Sequence, residues 1–231
     1  KYGQAKVITI SNVFAHIDKP KSVVEGAKIL LGEKGTFIIE VHWVANLLGL
    51  AGVGSFDQTY HEHLSYFSLS ALKRLVASSG LKIFDAKIIP VHGKSLQVYI
   101  SKNPVRIFES VNFILKKEKE LGLDKVRTYL DFAKKVAKNK TELKKLLFKL
   151  KKENKKIAGY GASAKGNILL NYFQIDAKTL NFIIDDSPLK QGFYTPGTHI
   201  PVFSAKKLKN ARPDYLLLLA WNYADFILKK E

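Results

Sequence analysis

The chain has 231 residues, of which 46% are hydrophobic and 25% are charged, with a formal net charge of +18 and no cysteine. This is an ordinary globular composition, and the absence of cysteine excludes a disulfide framework and a thiolate metal site. No run of eighteen apolar residues occurs, so the sequence predicts no transmembrane helix.

The start of the chain indicates a piece of a longer protein. The first residue is Lys1 and methionine is absent, so we expect residues to be missing upstream. With no cysteine and no signal-peptide pattern at this start, we expect a cytoplasmic protein that does not enter a membrane.

The first hundred residues have the pattern of an α/β block. The run KVITI is apolar and β-branched and ends at a polar turn, which predicts a buried strand. Helical spacing over residues 19–35, stopped by Gly32 and Gly35, is followed by the strand TFIIEV, so these elements form a βαβ unit with a parallel sheet. A second helix begins with Ser68 as its N-cap, and two strands after it predict an antiparallel pair at a sheet edge.

A basic helical stretch follows. From Arg106 to about Lys156 the pattern predicts helices that break near Gly122 and Asn139. Residues 103–156 contain seventeen Lys and Arg against seven Asp and Glu. A solvated helix face explains these lysines as well as a phosphate-binding face does, so nucleic acid is the least favoured partner. A basic surface also attracts the diphosphate of a sugar nucleotide.

A second α/β block begins at KKIAGYGASAKGNILLNYF, which reads as strand, glycine turn and helix. LNFIIDD and DYLLLLAW predict further buried strands. We therefore predict an α/β protein with one sheet-containing domain over 1–104, a helical connector over 105–154 and a Rossmann-like domain over 155–231.

The stretch YHEH places two imidazoles, a carboxylate and a phenol in four consecutive positions. Zinc on a helix requires histidines four apart, and His61 and His63 are two apart, so a metal site would need other histidines (His16, His42, His92) brought close by the fold. A polar loop without chemistry is a second interpretation. The third is acid–base catalysis, since Glu62 can orient an imidazole and Tyr60 can donate to a developing oxyanion.

The turn GYGASA fits the pattern G-x-G-x-x-G/A between a strand and a helix, with Asp185 and Asp186 about twenty residues further on. Glycines let the backbone approach a diphosphate, and the helix N-terminus supplies free N–H groups. The pattern predicts a phosphate ligand held by Gly159, Gly161, Ser163, Lys165 and Asn167. A dinucleotide is its ordinary ligand, any diphosphate meets the same requirement, and a tight turn without a ligand is the plain alternative.

A long loop, LKQGFYTPGTHIPVFS, follows the strand FIIDD where open α/β sheets place their ligands. Lys190, Tyr194 and Thr198 are polar residues that this loop can offer to a substrate. A surface loop without a ligand is the alternative.

Six segments in order resemble the sugar C-methyltransferases that act on nucleotide-linked deoxysugars with S-adenosylmethionine. They are SNVFAHI (11–17), YHEHLSYFS (60–68), HGKSLQVY (92–99), GYGASAKGN (159–167), DDSPLKQGFYTPGTHIPV (185–202) and LLLAWNY (217–223). The resemblance covers almost the whole chain. It implies a zinc-binding N-terminal domain, a class I methyltransferase domain and a second Rossmann-like domain, of which this chain would carry only the C-terminal portion.

The resemblance also implies roles for individual residues. The base falls on His63, with Tyr60 and Glu62 as its partners and His16 as a further active-site histidine. Ser11 and Asn12 belong to the only cofactor-side segment present, because the glycine-rich turn and acidic residue of a class I cofactor pocket are absent from this chain, as is the zinc domain. The chain is then either a fragment of a full enzyme or a protein that has lost methylation. The segment HGKSLQVY adds His92, Gly93 and Ser95 to the substrate-binding residues.

The implied reaction removes the C3 proton of a 4-keto sugar linked to a nucleotide, which we expect to be thymidine diphosphate, before methyl transfer to carbon. Two other functions stay open at this point. One is an NAD-dependent oxidoreductase built on GYGASA and Asp185, and the other is a non-catalytic module that binds sugar nucleotides.

Overall fold

The computed structural model describes residues 3–52, 54–91 and 94–230. These divide into two compact units, the first containing residues up to 56 and 61–133, and the second containing 57–60 and 134 onward. The predicted substrate residues His92 and Gly93 lie outside the described residues.

The first unit is built on a mixed four-stranded sheet. Its elements in chain order are β1 (Ala5–Ser11), α1 (Pro20–Leu30), β2 (Leu31–His42), α2 (Val44–Leu47), α3 (Leu69–Ser78), β3 (Lys82–Ile89), β4 (Ser95–Ser101) and α4 (Glu109–Glu120). The strand order is β1-β2-β4-β3, with β1 parallel to β2 and both other pairings antiparallel. The predicted βαβ unit and the antiparallel pair are therefore both confirmed. The predicted burial of β1 is wrong: none of its residues is buried and Val7 is 59% exposed, because in the described sheet β1 pairs with β2 on one side only.

Alternation along β2 determines which face of this sheet is the core. Phe37, Ile39 and Val41 are 0–1% exposed, whereas the residues between them are half-buried. Helix α1 packs Val24 and Ala27 into the same core. The strand starts earlier than expected, at Leu31, because the chain passes directly from helix to strand and keeps Gly32 and Gly35 in extended backbone.

The basic stretch contains two helices. Helix α4 ends before Gly122, whose φ of +68° suits a glycine at a helix end, and it packs Val111 and Ile114 into the first unit's core. Helix α5 (Val126–Lys152) runs without interruption, so the predicted break near Asn139 is wrong. Asparagine is only mildly unfavourable inside a helix and does not break one by itself.

The second unit has a parallel four-stranded sheet. Its elements are β5 (Ile157–Tyr160), α6 (Ala164–Phe173), β6 (Ile183–Ile184), β7 (Val202–Phe203), α7 (Lys206–Ala211), β8 (Tyr215–Leu218) and α8 (Ala224–Lys230). The order is β7-β6-β5-β8. All four residues of β5 are buried, as expected for an inner parallel strand. Both sheets confirm the α/β prediction.

The last strand corrects one expectation. The run DYLLLLAW predicts a buried strand, yet Tyr215 and Leu216 of β8 are 47% and 37% exposed. In the described sheet β8 pairs with β5 on one side only. It is therefore an edge strand, and part of its apolar run is exposed. No helix in the described ranges combines the length and hydrophobicity needed to cross a membrane.

Candidate active site

The candidate site of the first unit lies where β1 and β2 end. Because parallel strands end at the same edge of a sheet, the short helical turn Phe14–His16 after β1 lies near His42, the last residue of β2. The Ser65 N–H donates to the carbonyl of Ala15 at 3.2 Å and ties the histidine-rich loop to the same edge. The fold thus gathers three segments that are distant in sequence.

Three histidines meet at this edge. The ring centroid of His63 lies 4.9 Å from that of His16 and 5.2 Å from that of His42, and Tyr66 stands edge-on to His63 at 5.9 Å. His63 is 8% exposed, so its imidazole is largely shielded from water. A shielded imidazole flanked by other proton-carrying side chains is suited to general acid–base chemistry.

The neighbours of His63 in sequence are more exposed than His63 itself. The side chain of His61 is 88% exposed and that of Glu62 is 58% exposed, and their Nε2 and Oε1 atoms lie 4.0 Å apart. Glu62 therefore pairs with His61 in this structure. Tyr60 is half-buried and belongs to the second unit.

Asn12 directly follows β1 and is held by Glu40 of β2. Its N–H donates to the Glu40 carbonyl at 3.0 Å, and its Nδ2 donates to Glu40 Oε1 at 3.2 Å. This second bond fixes the orientation of the amide, because Oδ1 facing the carboxylate would be repelled. Asn12 Oδ1 is buried and has no hydrogen-bond partner among the residues that the structure describes. Ser11 is exposed beside it.

Ser95 starts β4 directly opposite His42. It is fully buried, and its hydroxyl donates to the carbonyl of Val91 at 3.1 Å. Of the predicted substrate residues in the first unit, Ser95 is the one that the structure describes, and it starts the strand that pairs with β2 at His42.

The glycine turn of the second unit has a packing reason for its glycines. A Cβ atom on Gly161, whose φ is +94°, would lie 2.5 Å from the Cβ of Ala220. A Cβ atom on Gly159 would lie 2.8 Å from a side-chain carbon of Ile183. Contacts within the chain therefore require both glycines, whether or not a diphosphate binds.

Ser163 and Lys165 occupy the start of α6. Ser163 is its N-cap, and the hydroxyl accepts the N–H of Gly166 at 3.0 Å. Lys165 is half-buried, and its amine has no hydrogen-bond or ion-pair partner in the described part of the chain. A cation beside a helix N-terminus attracts an anion.

A cavity of about 180 Å³ opens beside this turn. Four predicted substrate residues line it, namely Ser163, Asn167, Lys190 and Tyr194. Thr198 is not among its lining residues: it is 8% exposed, and its hydroxyl shares a 2.7 Å hydrogen bond with that of Thr195. Thr198 therefore supports the loop from within.

The acidic residues after β6 already have partners. Asp185 accepts the N–H of Ser187 at 2.9 Å and the Lys190 amine at 3.2 Å. Asp186 accepts from the Lys230 amine at 2.6 Å, and this bond, together with one from Lys230 to the Tyr160 hydroxyl, raises the pKa of Lys230. A nicotinamide dinucleotide would need such a carboxylate for its ribose, and in this structure both carboxylates are engaged with a lysine.

A larger cavity of about 660 Å³ lies at the other end of the first unit's sheet, beside Gly35 of β2 and Ser101 of β4. Because β4 is antiparallel to β2, its last residue lies far along the sheet from His42. Within the described ranges, no group of three or more His, Asp or Glu side chains is placed to hold a metal ion.

Sequence reasoning did not assign roles to three residues that the structure places at or behind the histidine edge. In the sequence, His42 is a candidate metal ligand only, and Tyr66 carries no predicted role. Glu118, 2% exposed, was counted as one charge in a basic stretch. A signal for His42 exists in the sequence, since it ends the second strand of a βαβ unit, where ligands bind.

Comparison with known proteins gives two family matches and one relative that is similar over the whole chain. Residues 90–231 match the family described as C-methyltransferase C-terminal domain, and residues 1–86 match a methyltransferase domain family. The whole chain is 35% identical over 233 residues to the C-methyltransferase NovU of Streptomyces niveus. The chain spans 55% of the length of that relative.

Solved structures give weaker matches. An O-methyltransferase (NcsB1) from neocarzinostatin biosynthesis, in complex with S-adenosylmethionine, is 21% identical with a TM-score of 0.34, over 43% of this chain and 29% of that one. TnmH is 24% identical with a TM-score of 0.35, over 44% and 31%. Superpositions of this quality carry no argument about the site.

Proposed function

Because the chain belongs to the C-methyltransferase C-terminal domain family, we propose that it takes part in the S-adenosylmethionine-dependent C-methylation of a nucleotide-linked 4-keto-deoxysugar. The substrate is proposed to carry thymidine diphosphate, and the step belongs to deoxysugar biosynthesis in the cytoplasm. The observation that carries the proposal is the shielded imidazole of His63 between His16 and His42.

The chemistry begins with removal of a proton from carbon. A C–H next to a ketone is acidic because the negative charge left behind spreads onto the carbonyl oxygen. His63 takes this proton, and a donor such as Tyr60 or Tyr66 stabilises the oxyanion. The rings of His16 and His42 pack against the His63 ring, with centroids 4.9 Å and 5.2 Å away. Glu62 is exposed and pairs with His61 in this structure, so it would reach His63 only after a change of rotamer.

The described residues fit S-adenosylmethionine in one respect. The buried Oδ1 of Asn12 lacks a donor, and the cofactor carries an ammonium and an adenine amine that could donate to it. Ser11 and Asn12 would hold that group at the end of β1. When bound, S-adenosylmethionine supplies an electrophilic methyl group to the carbanion.

The second unit is proposed to bind the nucleotide diphosphate. Lys165 offers a cation beside the N-terminus of α6, and Ser163, Asn167, Lys190 and Tyr194 line the adjacent cavity. The glycine turn then needs no nicotinamide to explain it.

Replacing Lys165 with methionine is expected to weaken the binding of thymidine diphosphate by about tenfold, the size of one charge-assisted hydrogen bond. Isothermal titration calorimetry on wild type and variant measures this directly. The matched control is Lys209→Met on α7, which removes an exposed lysine of the same unit. If Lys165→Met binds thymidine diphosphate within twofold of the wild-type affinity, Lys165 does not contribute to the phosphate site.

The function itself is tested by solvent deuterium exchange at C3 of a thymidine diphosphate 4-keto-6-deoxysugar. Exchange above the buffer rate supports a base in this chain. Binding without exchange supports a module that only holds the sugar nucleotide.

A further inference from the structure

The side chain of Glu118 is a buried carboxylate far from the proposed chemistry in sequence. It lies on α4, it is 2% exposed, and both of its oxygens accept hydrogen bonds. Oε1 accepts the indole N–H of Trp43 at 2.8 Å and the N–H of Leu69 at 2.6 Å, and Oε2 accepts the N–H of Ser70 at 2.9 Å. Three donors converge on one carboxylate.

Two of these donors are the first N–H groups of α3. A helix leaves its first N–H groups without partners inside the helix. Here Glu118 takes those of Leu69 and Ser70, and the hydroxyl of Ser68 takes that of Ala71 at 3.1 Å. The negative charge also lies at the positive end of the helix dipole. The start of α3 is therefore fixed by a side chain from another helix.

The third donor connects Glu118 to the other side of the candidate site. Trp43 directly follows His42, and its backbone bridges in parallel to Phe67. The next N–H, that of Val44, donates to the carbonyl of Phe67 at 3.0 Å. Only residues 64–68 separate His63 from the start of α3. One carboxylate thus anchors the chain directly after His42 and the helix shortly after His63.

We propose that Glu118 is a positioning residue that sets the spacing between the imidazoles of His42 and His63. The expected effect of Glu118 on catalysis rests on the proposed function. Its effect on the spacing of the two imidazoles does not, because that spacing can be observed without a substrate. Glutamine at position 118 has nearly the same shape but replaces one acceptor with an NH₂ group. That group would face a donor, either the N–H of Ser70 or the donors of Trp43 and Leu69.

The test compares Glu118→Gln with Glu120→Gln, which changes an exposed glutamate on the same helix. Histidine-labelled protein gives imidazole ¹⁵N and ¹³C signals by NMR, and circular dichroism verifies that each variant is folded. In Glu118→Gln we expect the signals of His42 and His63 to shift and the C3 exchange rate to fall by at least tenfold, with sugar-nucleotide affinity within threefold. Glu120→Gln should match wild type in its histidine signals, its C3 exchange rate and its sugar-nucleotide affinity.

Unshifted histidine signals in folded Glu118→Gln would overturn the proposal whatever the exchange rate. If wild type shows no exchange, the proposed function fails, and the histidine signals still decide the role of Glu118. If Glu118→Gln does not fold, Trp43→Phe serves instead, because it removes the indole donor and leaves the two backbone bonds to Glu118. Unmoved signals of both histidines in folded Trp43→Phe would equally contradict the proposal.

Discussion

Exchange of the C3 proton of a 4-keto sugar nucleotide is expected to slow by about 10²–10⁴-fold when His63 is replaced by glutamine, the usual contribution of a general base. Glutamine keeps a similar size but cannot accept a proton at neutral pH. The rate is followed by ¹H NMR in deuterated buffer, with thymidine diphosphate affinity measured on the same sample. The affinity should stay within threefold of wild type, because the base is separate from the proposed phosphate site.

His61→Gln is the matched control for this experiment. Both residues lie in the same loop, but the His61 side chain is 88% exposed whereas His63 is 8% exposed as a residue. The control should keep the wild-type exchange rate. Equal slowing in the two variants, or a wild-type rate in folded His63→Gln, would mean that the buried histidine is not the base.

The second large effect concerns stability. Gly161→Ala is expected to lower the free energy of unfolding of the second unit by about 2–4 kcal/mol. The new methyl group would meet Ala220 at 2.5 Å, and alanine is strained at a φ of +94°. Urea unfolding followed by ¹⁹F NMR on 5-fluorotryptophan protein measures this, because Trp43 reports on the first unit and Trp221 on the second.

Gly192→Ala separates the two causes. Gly192 has a similar φ of +85°, but a Cβ atom there would meet nothing within 4 Å. Its cost is expected to be about 1 kcal/mol, from backbone strain alone. If both alanine variants lose the same stability, the contact with Ala220 is not what requires glycine at position 161. Because of the contact with Ala220, a Gly161→Ala variant that binds the nucleotide more weakly would not by itself show that the phosphate binds at this turn.

Much of the fold could be predicted because local patterns and tertiary environment agree. The spacing of α1 and the Ser68 cap each match what the structure places there, and β1 forms where it was predicted, although its predicted burial is wrong. The break expected at Asn139 failed because a single asparagine costs a helix little. The exposure of β8 could not be predicted, since an apolar run does not reveal whether its strand lies inside a sheet or at an edge.

The site was partly predictable for a related reason. His16 and His63 belong to segments that carry the resemblance, and the βαβ pattern explains why His16 comes close to His42. The role of Glu118 could not be predicted, because the surrounding sequence KKEKE does not show whether this glutamate is solvated or buried. The glycine turn is ambiguous for a physical reason: a close backbone contact and a bound phosphate both require a missing Cβ atom.

A base that acts on the sugar should work without any methyl donor if this chain carries it. The wild-type chain is incubated with a thymidine diphosphate 4-keto-6-deoxysugar in deuterated buffer without S-adenosylmethionine, and the C3 proton is followed by NMR. We predict loss of that proton faster than in buffer alone, since proton removal by His63 needs no methyl donor. Binding of the sugar nucleotide with exchange at the buffer rate would contradict the claim.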